Sequence, residues 1–589
     1  MYIQQLNRFK KMRIRCKSKV GLSITTLTFL LALVFSLKAQ NAVKVIQNPV
    51  IVGDWSDPGV LRVNKDYYSV RSTFGWNPGL QIMHSTDLIH WECIANALDF
   101  QYNGFNPHHY DLTPITTATG DKFGGVWGSD IIFNPNTDEF LVYAPIYVKT
   151  NGTNHKSIHV FASKKPEGPY SYEGILLDND IDPGLFLDRD SSLYITSKAS
   201  LIYRLSKDGR KKENAIGKVS AIGHKAFGEG AEIIYKDGYY HYTCSEGGTL
   251  PYEHHKILEF RAKSLKGPWI PNPHNPIKYA PHTTLAPLQG PGHAELIQTY
   301  EGEWFMTYHT FEINYPSLAR QMCLEPIIWT KDNWLSTKYG RIPPLSIEAP
   351  HIEATPIFDN PSDNFEWKDA QADEYKTCGR LTPKWFFNTM PDYSGKSWSL
   401  TSHPNQLSLS NAKGKRTVAQ RLQRFIMQRF ASKAFEIKTK VTFEPSEGEI
   451  AGILLYANPE NFIQFGLSQL KGKRALVIKT KSGVFDGNKG ARKPLPGVES
   501  TYATTPYNSN HVFLKITVVN PETARFFYST NDKDWTPLGD ELFFGHCGIP
   551  DLGWQRTYWT GATFGLCVDQ YNPSSEAHTA LFDWFKVQK

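Results

Sequence analysis

Three acidic residues stand where strand-forming sequence would not ordinarily put them. Asp57 lies in WSDPGVL, Asp182 in DIDPGLFLDRD and Glu229 in AFGEGAEIIYKDGYY. Carboxylates and proline are poor strand residues, yet each stretch runs directly into apolar, strand-like sequence. Asp57 and Asp182 share one string, Asp-Pro-Gly followed by an apolar residue. Proline fixes φ there, and glycine lets the backbone pass close to a neighbour. Paired carboxyl groups are the residue types for acid–base chemistry: one activates water and another protonates a leaving group, if their surroundings split the two pKa values. Taken singly, each Asp-Pro also reads as a turn that caps a strand, and Asp54 reads as a turn or hydrogen-bonding residue.

Acids this far apart meet only if the fold gathers the starts of their strands. A repeat supplies the means. An aromatic strand after a polar turn leads to a second strand and a turn, as NKDYYSV leads to IMHSTDLIHWE and TDEFLVYAP to VFASKKPEGPYSYEG. The pattern returns in DSSLYITSK, KDGYYHYTCSEGG and YEGEWFMTYHT, each with its following strand. Five copies over about 46–341 predict the four-stranded blades of a propeller, with a two-sheet arrangement as the alternative on pattern alone. In a propeller the inner strands surround one axis, so acids at their starts share a mouth. Proline-rich RIPPLSIEAPHIEATPIFDNPSDNF then predicts an extended linker over 342–364. Alternating strands such as FEIKTKVTFEP and HVFLKITVVNPETARFFYST predict a sandwich over 365–589. The expected fold class is all-β, a five-bladed β-propeller followed by a β-sandwich domain.

These residues and spacings resemble glycoside hydrolase family 43. The family's base stretch, Ser/Ala-Asp-Pro followed by strand residues and an aspartate with two tyrosines, is matched by SDPGVLRVNKDYY, which makes Asp57 the implied general base. Its second acid stretch is matched by IDPGLFLDRD, so Asp182 is implied to tune the acid's pKa and orient it. The acid is the Glu of Glu-Gly-Pro ahead of Gly-Tyr-Tyr. EGAEIIYKDGYY keeps Glu, Gly and the spacing, which implies Glu229, with Ala231 in place of the proline and Glu232 as the rival. FGWNPGLQIMHSTDLIHW, GGVWGSDI and GPGHAELIQTYEGEWFMTYH resemble further family stretches, Gly128 and Ser129 departing from the usual pattern. The likeness spans about 48–341 and, more loosely, the sandwich.

The resemblance implies an inverting hydrolase of xylose- or arabinose-containing plant polysaccharides or oligosaccharides, of β-xylosidase or α-L-arabinofuranosidase type. Galactan or arabinan cleavage, or a non-catalytic carbohydrate-binding propeller, are the alternatives. It implies no required cofactor. His293 is a possible ligand, direct or through water, of a structural calcium ion, which ordinarily prefers several oxygens. Arg320 in SLARQMCLEP stands where the family's arginine reaches the sugar, with Ala319 replacing the usual glycine. Trp76 and Trp127 have Gly or Pro close by and offer rings to stack on sugar or to pack in a core.

The formal charge of +7 owes much to Arg8, Lys10, Lys11, Arg13, Arg15, Lys17 and Lys19 at the N-terminus. With no basic run elsewhere, nucleic acid is not an expected partner. The basic start precedes the apolar run Leu22 to Leu37 and the small residue Ala39. This predicts a signal peptide over 1–39, a mature chain from near Gln40, and a secreted or periplasmic protein without stable membrane insertion after signal removal. A single N-terminal anchor is the alternative.

Overall fold

Period-two burial shows why the sheets form. In His511–Asn520 and Phe435–Thr442 buried and part-exposed residues alternate along the strand, so one face of each joins a core and the other meets solvent. The inner propeller strand Leu288–Gln298 is buried almost throughout, because blades cover both of its faces. The outer strand Lys212–Lys218 is mostly exposed. Aspartate and glycine close the hairpin between Glu229–Lys236 and Tyr239–Glu246, with φ of 45° at Asp237 and 87° at Gly238, the left-handed pair that a tight hairpin turn requires.

The computed structural model describes residues 44–99, 125–150, 153–197, 200–220, 228–249, 254–366, 377–483, 497–544, 560–572 and 576–589. The expected signal peptide lies outside them. No helix among the described residues is long and apolar enough to cross a membrane.

Five antiparallel sheets of consecutive strands make the propeller. Blade 1 runs Gly59–Val63, Asp66–Val70, Gly79–Ser85 and Glu92–Leu98. The inner strands of blades 2 to 5 are Asp130–Asn134, Gly184–Leu187, Glu229–Lys236 and Leu288–Gln298. The ring is closed by the segment before blade 1. Val50 N–H donates to Met322 O (2.8 Å), and Trp55 N–H to Arg320 O (2.8 Å), on the third strand of blade 5, Arg320–Trp329. The segment expected as a linker contains the short strand Ser346–Glu348, and its start is tied to the closing segment where Asn48 N–H donates to Leu345 O (2.8 Å).

The C-terminal region is two antiparallel sheets. One centres on Phe435–Thr442, His511–Asn520 and Thr579–Gln588, the other on Glu449–Asn458, Asn461–Leu470 and Thr563–Gln570. Their facing rows, among them Ile437, Leu514, Phe582, Leu455, Phe465 and Phe564, form one buried core. Residues Ile46–Lys589 pack as one unit, and the sandwich docks directly on the propeller. Asn77 and Phe387 exchange both backbone hydrogen bonds (2.8 and 2.7 Å), and Trp76 packs on Phe386 and Tyr456 at centroid distances of 4.8 and 6.2 Å. No disulfide joins any two of the described cysteines.

Candidate active site

The Asp-Pro-Gly string is explained by crowding at the axis. A side chain at Gly59 would come within 2.7 Å of Ser129 O in blade 2, and one at Gly184 within 1.8 Å of Ala231 O in blade 4. Only glycine admits so close a neighbour. Two residues earlier, Asp57 (φ 53°) and Asp182 (φ 51°) adopt left-handed backbone, which turns each carboxylate away from the strand direction. Such conformations gather where a site over-determines them.

Glu229 reaches the same place by a bulge. It pairs with Ser245 while Glu232 pairs with Thr243, so one extra residue is accommodated between them, with Gly230 at φ 58°. Partners two apart share a face, so both glutamates turn toward the axis. Glu229 lines the mouth. Glu232 lies deeper, where its Oε2 accepts from Leu296 N–H (2.5 Å).

Asp57, Asp182 and Glu229 line one pocket of about 410 Å³ together with Trp127, His293 and Arg320. Asp182 Oδ2 accepts the N–H of Gly230 (3.1 Å) and so holds the peptide next to Glu229. Asp57 is anchored from several sides. Oδ2 accepts from Ser72 Oγ (2.5 Å), Oδ1 from Arg320 Nη1 (2.5 Å), and the Asp57 N–H donates to His309 Nδ1 (3.2 Å). Burial alone would raise the Asp57 carboxyl, but the Arg320 guanidinium, with His309 and His293, outweighs it and holds the group well below the usual carboxylate range. Burial, followed by Arg320, pushes His309 down to about 3. The neutral ring therefore offers Nδ1 as an acceptor to the Asp57 peptide, and Arg320 is the charge that keeps Asp57 ionised.

Trp127 forms one wall, edge-on to Phe74 (6.4 Å) with Lys156 Nζ 4.0 Å above its ring. Trp76 is a correction to the substrate-binding expectation. It is 1% exposed, donates from Nε1 to Asp54 Oδ2 (2.8 Å) and packs on sandwich residues. The nearby glycine and proline serve a turn that the sandwich covers. His293 lies between Gly128 and Gly230, where a side chain would meet its ring at 2.8 and 2.7 Å, and its Nδ1 is 3.8 Å from Asp57 Oδ1. Around it lie the imidazoles of His255 and His309, the Arg320 cation and the carboxylates of Asp57, Asp182 and Glu229, and the described residues contain no cluster of three or more His, Cys, Asp or Glu placed to hold a metal. No step below is routed through calcium.

Sequence reasoning passed over His309, Ser72 and His255. His255 lines the pocket and stacks on His309 at 5.5 Å. His309 sits inside the apolar strand Trp304–Glu312, and a polar residue in a strand buried on both faces is the signal that marks it. Asp130, Glu232 and Glu295, none of which lines the pocket, form a second tier of buried acids. Asp130 accepts from Leu185 N–H (2.8 Å) and Ile131 N–H (2.7 Å). Burial pushes Asp130 up to about 7 and raises Glu232 and Glu295 strongly.

Residues 46–335 match the model of glycosyl hydrolases family 43, and residues 372–588 match that of the beta xylosidase C-terminal concanavalin A-like domain. A beta-xylosidase of Bacillus subtilis (strain 168) is 26% identical over 83% of this chain and 90% of its own. A non-reducing end alpha-L-arabinofuranosidase of Bacteroides ovatus, BoGH43B, is 28% identical over 92% of this chain and 95% of its own. Among solved structures, the GH43 protein BlXynB of Bacillus licheniformis superposes with a TM-score of 0.75 at 26% identity, covering 92% of this chain and all of that one.

Proposed function

Because the chain belongs to glycosyl hydrolase family 43, we propose that it is an exported, inverting glycosidase that releases xylose or arabinose from plant polysaccharides or oligosaccharides. The observation that carries the reading is one pocket lined by three carboxylates from three blades, Asp57, Asp182 and Glu229. The two pentoses are the sugars named for the Bacillus subtilis and Bacteroides ovatus relatives.

Asp57 is the general base. Ionised beside Arg320, it takes a proton from the water that attacks the anomeric carbon. Glu229 is the general acid and protonates the departing glycosidic oxygen. Asp182 orients Glu229 through the Gly230 peptide, and its negative charge opposes ionisation of the acid. The displacement occurs in one step, with the water held between the two carboxyl groups, for which inverting enzymes keep roughly 6.5–9.5 Å. Trp127 offers a ring for the sugar face, and Arg320 serves both Asp57 and the sugar. The basic-then-apolar N-terminus supports export, which N-terminal sequencing of the exported protein checks: a start near Gln40 is expected, and a retained Met1 contradicts it.

Purified protein tested against aryl β-xyloside, aryl α-L-arabinofuranoside and plant polysaccharides decides the activity. Release of free pentose from one aryl glycoside is expected. Binding of these sugars with no release would make the propeller a carbohydrate-binding module.

A further inference from the structure

One buried charged cluster has no task in this chemistry. Asp54 and Arg71 are both 0% exposed, and neither lines the pocket. Resting on the assignment of Asp57 as base, we propose that Asp54, Arg71 and Trp76 are positioning residues that couple the seating of the C-terminal sandwich to the Asp57–Arg320 pair.

The contacts run without a break from one region to the other. Asp54 Oδ2 accepts from Trp76 Nε1 (2.8 Å) and forms an ion pair with Arg71 Nη1 at 2.9 Å, and Arg71 Nη1 donates to the Asp54 backbone carbonyl (2.6 Å). Side chain and peptide are thereby fixed three residues before Asp57. The far ends rest on the sandwich region. Trp76 packs on Phe386 and Tyr456. Arg71 Nη2 donates to Gln81 Oε1 (2.7 Å), and Gln81 Nε2 donates to Pro383 O (3.2 Å).

Arg320 is tied to the same cluster. Asp54 N–H donates to Leu318 O (2.9 Å) and Trp55 N–H to Arg320 O (2.8 Å), while Ala562 N–H of the sandwich donates to Ser317 O (2.7 Å). Both partners of the 2.5 Å pair between Arg320 and Asp57 thus hang from backbone that the sandwich clamps. A buried ion pair adds little stability over apolar groups of the same size, and its best-attested use is to fix one arrangement.

The test compares the full-length protein with Asp54→Asn and Trp76→Phe, well below their unfolding temperatures, on whichever aryl glycoside the wild type cleaves. An inactive wild type would refute the proposed function, not this coupling. Because a misplacement of about 1 Å costs about 100-fold in rate, Asp54→Asn is expected to lower kcat about 10–100-fold. The acid limb of its kcat/KM profile should move up as Asp57 loses its fixed partner. Trp76→Phe keeps an aromatic ring against the sandwich while removing one hydrogen bond and part of the packing, and a smaller loss with the same direction of limb shift is expected. Either variant folded with wild-type kcat and acid limb overturns the proposal. Failure of Trp76→Phe to fold does so too, since the cluster would then serve stability alone. If Asp54→Asn fails to fold, Trp76→Phe decides.

Discussion

Arg320 sets how far into acid the base stays ionised. Burial works against the Asp57 carboxylate, and the guanidinium 2.5 Å away, together with His309 and His293, more than offsets it. Activity should therefore persist as pH falls through the ordinary carboxylate range and fade only at the depressed pKa of Asp57. Arg320→Met leaves burial dominant, so the acid limb of kcat/KM should move up by more than about one pH unit; an unmoved limb would contradict the pairing. Glu229 is tested by leaving group. Glu229→Ala should lose about 10²–10⁴-fold on an oligosaccharide but far less on a dinitrophenyl glycoside, whose leaving group departs without a proton. Equal losses on both substrates would exclude the acid role, and loss with Glu232→Ala in place of Glu229→Ala would move it to the neighbour. Asp57, Asp182 and Glu229 were legible because an acid beside Pro or Gly at a strand start is costly without a use. Trp76 was not, because the same Gly and Pro context marks an exposed turn and a turn covered by another domain alike. His309 was hidden inside an apolar strand.

At the scale of strands, the bulges in blades 4 and 5 turn extra groups inward. Glu229 and Glu232 both face the axis across one register shift, and Glu295 follows another in the strand paired with Trp304–Glu312. The resulting tier of Asp130, Glu232 and Glu295 binds more protons folded than unfolded between the ordinary carboxylate range near pH 4 and about 7 for Asp130. Stability should therefore fall as pH rises through that window. Glu232→Gln keeps an acceptor for Leu296 N–H and removes one ionisation, so its melting temperature should decline less steeply with pH; an unchanged slope would show that the tier does not titrate with folding. The turn before Arg320 carries a second cost. Ala319 has φ 54° and ψ −145°, backbone that suits glycine. Ala319→Gly should stabilise by about 1 kcal/mol, visible as a higher melting temperature, and a lower one would deny the strain. The five blades were readable from aromatic strands and polar turns, since each repeat buries the same pattern. The bulges were not, because one extra residue leaves no periodic trace in a strand buried on both faces.

At the scale of the molecule, the sandwich covers what a free propeller would expose. Trp76, the Asn77–Phe387 bridge and Gly53, which lies against Phe430 O with room for no side chain, would all lose their cover. A chain ending at Asn360 should be insoluble or at least about 100-fold less active; a soluble truncation with full kcat would make the sandwich dispensable. That the sandwich supports the propeller follows from the family resemblance, but which residues make the contact was not legible, because the sequence of each domain reports its own alternation and not the partner it docks against. In the proposed mechanism Asp57 and Glu229 act together in a single displacement, and proton NMR of the first sugar released, before mutarotation, reads the outcome at the anomeric carbon. From an aryl β-xyloside, or the arabinofuranoside if that is the substrate, a product of inverted anomeric configuration is expected. A product of retained configuration would mean a covalent glycosyl-enzyme and would contradict it.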